Sequence, residues 1–191
     1  MNAIEQLLDE HAFIMDRLVD LRGVVADLAT RGATAVPAAG PVIDQACHLL
    51  DTVLAHHARK EEEALFPAME RVIGAHGPTA VMRMEHQGIH DQGALLRATL
   101  RELNEVEHPR LEESRKVLQQ SVADGAGAST LRAHAERVLE LVDQHFYKEE
   151  QILFPMAERL LERSALDEVA ALMQAIDEAA ASTGPLEQAR R

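Results

Sequence analysis

The sequence predicts an all-α protein, an up-down four-helix bundle with an additional C-terminal helix. Composition, periodicity and an internal repeat carry that expectation. Hydrophobic residues make up 47% of the chain but aromatics only 3%. The core is therefore built of Leu, Ala, Val, Ile and Met, a set that favours helices over sheets. Apolar residues recur at the three-and-four spacing of helix faces. The stretch His57-Ala58-Arg59-Lys60-Glu61-Glu62 and its Leu65-Phe66-Pro67 return as His145-Phe146-Tyr147-Lys148-Glu149-Glu150 and Leu153-Phe154-Pro155, an offset of 88 residues (145 − 57). Glu10-His11 returns as Glu85-His86, an offset of 75 (86 − 11). Two helix hairpins result, each with one His-bearing helix and one HxxxE helix.

The first helix is expected over residues 2–29, with Ile4, Leu7, His11, Ile14, Met15, Leu18 and Leu21 on one stripe. Residues 31–40 read as a loop from their Gly and Pro, and Pro41 suits the first turn of the second helix. Leu50, Leu54, His57, Glu61 and Leu65 share a stripe there, and Pro67 should kink the helix or begin a separate short segment. Gly74–Gly77 form a turn before a third helix from Pro78, with Met82, His86, Ile89, His90, Gly93 and Leu96 as its stripe. Pro109 interrupts it, and residues 110–122 read as a further helical piece. Asp124–Ala128 is expected to be a loop, with Ser129 or Thr130 capping a fourth helix through Val138, Val142, His145, Glu149 and Leu153. Ser164–Asp167 resembles a capping box opening a last helix. The expected organisation is a metal-binding bundle over residues 1–163, a C-terminal helix over 164–181 packed on it, and a flexible tail over 182–191.

The net charge of −13 argues against nucleic acid and anionic membranes as partners. There is no basic start followed by an apolar run, and no apolar stretch of bilayer length, so a cytoplasmic protein is expected. The single Cys47 excludes an internal disulfide.

Residues four apart on a helix share a face, so His57 with Glu61, His86 with His90, and His145 with Glu149 can each converge on one point. With His11, they place five imidazoles and two carboxylates in apolar stripes. Unpaired carboxylates in a core cost several kcal/mol, roughly, unless a cation repays them. Imidazole with carboxylate suits iron, zinc or copper. Seven such groups exceed one ion's needs, so two ions are expected, with Glu61 and Glu149 as bridges. Two six-coordinate ions sharing an oxygen bridge would then keep a single open position. The repeat aligns Met15 with His90, which puts that opening on the His11–His57 side with Met15 as a pocket wall.

The order His, HxxxE, HxxxH, HxxxE, with Leu-Phe-Pro after each HxxxE, resembles the hemerythrin-like (HHE cation-binding) family over residues 5–162. The resemblance implies a bundle holding two non-haem iron ions, oxo- or hydroxo-bridged, that takes O₂ at one iron. Carried over position by position, His11, His57, His86, His90 and His145 are terminal ligands and Glu61 and Glu149 are bridges. Oxygen-carrying members have HxxxxD in the last helix. Here Glu150 holds that position, and Glu149 fits the HxxxE form of the bacterial and regulatory branch.

Two functions remain open on this reading. One is a binder or sensor of O₂, or a related ligand such as NO. The other is an enzyme of the same scaffold acting on peroxide or NO, or serving iron storage or repair. A ferroxidase would need paired ExxH motifs, and only Glu105–His108 fits. A metal-free interaction bundle is disfavoured by the buried charges. Glu62, Glu63 and Glu150 read as a solvated face, and Lys60 and Lys148 as surface ion-pair partners. His56 reads as surface or as lying behind the ligands. His134 could line an entrance. Tyr147 should face outward, and Leu65, Phe66, Leu153 and Phe154 should wall the site.

Overall fold

The computed structural model describes residues 2–107 and 117–183, and within them the chain is helical with no strand. The expected break at Pro109, the first part of the piece placed at 110–122, His108 of the ExxH motif and the tail from residue 184 lie outside the described residues.

Helix α1 (Ala3–Arg17) opens on a capping box: Asn2 accepts from the Glu5 N–H, and the Glu5 side chain accepts from the Asn2 N–H. At Leu18 the chain passes into α2 (Val19–Arg31) with little change of direction in its bonding, because the Leu18 N–H is shared between the carbonyls of Ile14 and Met15. Gly32, at φ +55°, ends α2. A short 3₁₀ turn then leads into α3 (Val36–Leu49). The expected loop at 31–40 is therefore mostly helix. Pro37 lies in the first turn of α3, where its missing N–H costs nothing, and Pro41 falls inside the helix.

The helix continues through a π turn (Leu50–Leu54), α4 (Ala55–Lys60), a second π turn (Glu61–Leu65) and α5 (Phe66–Ile73). Pro67 explains the second π turn. Its ring would clash with the carbonyl of Glu63 in an α-helix. Widening the turn relieves this, and the Phe66 N–H reaches back to the Glu61 carbonyl instead. A short helix of its own thus begins at Phe66, with Pro67 in its first turn, as expected. Gly74, at φ +80°, closes α5, and α6 runs Pro78–Glu107.

Helix α7 (Val117–Lys148) overturns the loop expected at Asp124–Ala128. Gly127 serves close packing rather than a turn: a Cβ there would lie 2.4 Å from Leu103 of α6. Thr130 caps nothing, since its hydroxyl donates to the Ala126 carbonyl within the helix. The repeat then reappears: a π turn (Glu149–Leu153) precedes α8 (Phe154–Leu160), with the Phe154 N–H bonded to the Glu149 carbonyl ahead of Pro155. Helix α9 (Arg163–Thr183) starts one residue before the expected capping box.

Helix α2 packs on α3 and α7, and α6 packs on α3 and α7, so the four neighbours close a ring. Helix α9 lies against α1, α4 and the Glu61–Leu65 turn. The buried apolar side chains form two clusters. One runs from Ile14 and Leu18 to Val142 and Phe146; the other joins Ile4 and Leu7 to Leu65, Phe66, Leu153 and Phe154. The buried polar groups His11, His57, Lys60, Glu61, His145 and Glu149 sit among them. No described helix is long and apolar enough to cross a membrane.

Candidate metal centre

The buried groups converge in two sets that share their carboxylates. His11, His57, Glu61 and Glu149 offer ligand atoms all within 4.8 Å of one another, and so do Glu61, His86, His145 and Glu149. Helix α1 supplies His11, α4 supplies His57, α6 supplies His86 and α7 supplies His145. Glu61 and Glu149 are the first residues of the two π turns. The wider turn that Pro67 and Pro155 impose begins at the carboxylates both sets use.

His90 is not part of either set. It is 63% exposed, with Nδ1 3.4 Å from Asp91. The inward line of α6 runs Met82, His86, Ile89, Gly93, Leu96 and Leu100, alternating steps of four and three. Ile89, three residues past His86, takes the interior position, and His90 is turned outward. This corrects the five-imidazole count. Ile14, three past His11, is likewise buried, whereas Met15 is half-buried against the apolar cluster. Four imidazoles and two carboxylates then divide evenly. The count no longer singles out the Met15 side as the open one.

A carboxylate stands behind each imidazole. Nδ1 of His57 is 2.9 Å from Glu10, and Nδ1 of His145 is 3.2 Å from Glu85. Nδ1 of His86 is 2.6 Å from Glu62, and Nδ1 of His11 is 2.9 Å from Glu150. Lys60 bonds Glu10, and Lys148 bonds Glu85. The reading of Glu62 and Glu150 as a solvated face, and of Lys60 as a surface residue, is therefore corrected. The signal was present in the repeat: Glu10 and Glu85 recur at the offset of His11 and His86, and Glu62 and Glu150 at that of His57 and His145, each pair supporting the imidazoles of the other.

These outer carboxylates set the tautomer. A carboxylate only accepts, so Nδ1 carries the proton and Nε2 carries a lone pair. His11 Nε2 and His57 Nε2 then face each other at 3.0 Å as two acceptors. Both oxygens of Glu61, both of Glu149, and Nε2 of His86 and His145 have no aligned hydrogen-bond partner among the described residues. Ring nitrogens nonetheless approach those carboxylates to 3.1 Å (His145–Glu149) and 3.2 Å (His11–Glu149, His86–Glu61). A buried group of acceptors with no donor fits a cation.

The electrostatics agree. Burial pushes the Glu61 carboxyl well above the carboxylate range, and Glu149 adds repulsion. Burial also opposes ionisation of Glu149, but when the rings beside it are protonated, the contacts of His11 and His145 and the charges of His145 and His57 outweigh it and hold the carboxyl well below its ordinary value. Burial draws His57 down to about 4, against the pull of Glu10. Glu10 itself falls to about 2, because His57 and Lys60 overcome its burial. Without a cation the two central carboxylates cannot ionise alike.

Aromatic rings wall the centre. Phe146 stacks on His11 with centroids 3.7 Å apart, Phe154 lies 5.4 Å from the same ring, and Phe66 stacks on His86 at 5.9 Å. Tyr147 is 66% exposed and faces outward, as expected. His134 is tied to Gln92 between α6 and α7 rather than to the site. Helix α9 adds an unforeseen layer: Asp177 accepts from Gln6 (2.9 Å), His56 (2.6 Å) and Lys60 (3.1 Å). A cavity of about 870 Å³ lies beneath α9 and meets this network at Glu10, His56 and Asp177.

A model of the hemerythrin HHE cation-binding domain matches residues 2–120. No curated protein and no solved structure gives a match. The match spans more than half of the chain and contains Glu10-His11, the first HxxxE and Glu85-His86; its second HxxxE lies beyond the matched residues but repeats the first in sequence and in contacts. The chain belongs to the hemerythrin HHE cation-binding family.

Proposed function

We propose that this is a non-haem di-iron protein that binds O₂ or a related small ligand, for oxygen binding or sensing. The reading takes the helices as an up-down four-helix bundle with α9 appended. His11 and His57 would hold one iron, His86 and His145 the other, and Glu61 and Glu149 would bridge them. The observation that carries it is the doubled acceptor set: two imidazole pairs with lone pairs turned inward, sharing two carboxylates that have no donor. The six groups gather as two sets of four that share the carboxylates, not around one point, which fits two ions rather than one.

When bound, such an iron pair supplies reversible electron donation to a small ligand. The chain's own residues do the rest. Glu10, Glu62, Glu85 and Glu150 fix the imidazoles with Nε2 inward and raise their basicity. Phe66, Phe146 and Phe154 exclude water around them. Lys60 and Lys148 hold the carboxylates behind His57 and His145.

The test is metal analysis of the purified protein with absorption spectra of the reduced form, taken without and then with air. Two irons per chain and a reversible oxygen-dependent visible band are expected. Irreversible oxidation with peroxide turnover would instead mark an enzyme. Glu61→Ala should lose the second ion while Glu63→Ala keeps both, because Glu63 is exposed and paired with Arg59. Equal metal content in the two variants would remove Glu61 from its bridging role.

A further inference from the structure

The two copies of the motif differ at one position that faces the imidazoles. His145 is followed by Phe146, and His57 by Ala58. The contacts of the two copies exchange: Glu150 supports His11, and Glu62 supports His86. Phe146, next to His145, covers His11 with its ring nearly parallel at 11°. The matching cover for His86 would come from position 58, where Ala58 has no ring to offer. The space left there is a cavity of about 40 Å³, bordered by Leu50, Leu54, Ala55, Ala58, Ile89 and His86. Exposed His90 stands at its rim. Beyond it, Ala58, His86 and His90 also line a wider groove of about 340 Å³.

We propose that this chamber admits a neutral diatomic ligand, of the O₂ or NO class, to the metal position held by His86 and His145. Ala58 opens that half, and Phe146 closes the other. The inference rests on the di-iron reading. The chamber's volume exceeds the roughly 10–15 Å³ that a cavity needs to hold one water molecule, so it has room for a molecule of two atoms. Its walls are aliphatic apart from the imidazoles, so an ion would have to shed its hydration to enter. The groove outside carries both signs of charge, Arg59 and Arg83 with Glu62 and Glu63. The open side is thus opposite to the one that aligning Met15 with His90 predicts.

The test combines a readout that needs no activity with one that does. Crystals of the purified protein under xenon should show a xenon atom between Leu54, Ala58 and Ile89, because apolar cavities bind it. Ala58→Phe should abolish that site. In the iron-loaded, reduced protein, Ala58→Phe should slow nitric oxide binding at least ten-fold with iron content unchanged, and Ala58→Leu should slow it to a lesser degree. The proposal is overturned if xenon does not enter beside His86, or if both Ala58 variants keep their iron and bind nitric oxide at the wild-type rate. It is equally overturned if Met15→Phe, rather than Ala58→Phe, slows binding. Xenon in the chamber of an iron-loaded protein that takes up no nitric oxide would sink the ligand-binding function itself, a different failure from normal binding that ignores position 58.

Discussion

Glu62 and Glu63 are adjacent and of the same type, yet they do different work. Glu62 accepts from His86 at 2.6 Å, while Glu63 pairs with Arg59 in solvent. Removing a partner behind a metal-ligating imidazole typically lowers metal affinity about 10- to 100-fold. Glu62→Gln should fall in that range and Glu63→Gln should change little, as measured by competition with a chelator for zinc or cobalt. This distinction was hidden in the sequence because a run of three glutamates looks solvated, although the recurrence of Glu62 as Glu150 marked it. His90 misled in the opposite direction. It sits four residues from His86, a spacing that shares a face only if the inward line passes through both, and here that line turns to Ile89. Cys47 gives a pH prediction free of the metal. It is fully buried, and burial pushes its thiol from 9.0 up to about 11. In the unfolded chain the thiol ionises first, so its contribution is complete below pH 9 and is lost as pH rises toward 11. The full linkage is roughly 3 kcal/mol. Urea unfolding at pH 8 and pH 10.5 should show a smaller alkaline loss in Cys47→Ala than in the wild type.

The helices place these residues, and α9 does so on one side only. Lys60 is entirely buried and bonded to Glu10 and Asp177, whereas its counterpart Lys148 is 39% exposed and bonded to Glu85. Asp177→Ala would leave Lys60 and His56 short of an acceptor. We expect a loss of about 2–3 kcal/mol, given that hydrogen bonds to charged groups contribute about 1.5–3 kcal/mol and that Asp177 is partly solvated. Calorimetry should show it as a lower Tm, with Asp167→Ala, on an exposed turn of the same helix, close to wild type. The helix itself was expected from a capping box at Ser164–Asp167, although it starts at Arg163, one residue ahead of it. Its role was not, because Asp177 belongs to neither repeat and its partners are more than a hundred residues away. The run Asp124–Ala128 failed for another reason. Gly content signals a turn when the backbone must reverse, but Gly127 answers a demand of packing against Leu103 that no local pattern displays.

At the scale of the molecule, the acceptor-lined layer interrupts the apolar core and opposes folding until cations fill it. Each ion bound with a Kd far below its working concentration adds about 4 kcal/mol at a thousand-fold excess over Kd, equivalent to about 10 °C in Tm per ion for a chain of this size. Calorimetry of metal-loaded and chelator-treated protein should show a difference of that order; coincident melts would mean that metal and folding are uncoupled. The all-helical architecture and the family were legible because the repeat couples stripe, motif and breaker in one pattern. The carboxylates behind the imidazoles carry one more consequence, in electroneutrality. The centre gathers six carboxylates, Glu10, Glu61, Glu62, Glu85, Glu149 and Glu150, against two ammonium groups, Lys60 and Lys148. Two divalent cations cancel that difference, and one leaves two negative charges uncompensated in a cluster whose middle, Glu61 and Glu149, is fully buried. Half-loaded protein is thus the disfavoured species. A titration with cobalt should therefore reach two ions per chain in a single step, with no plateau at one.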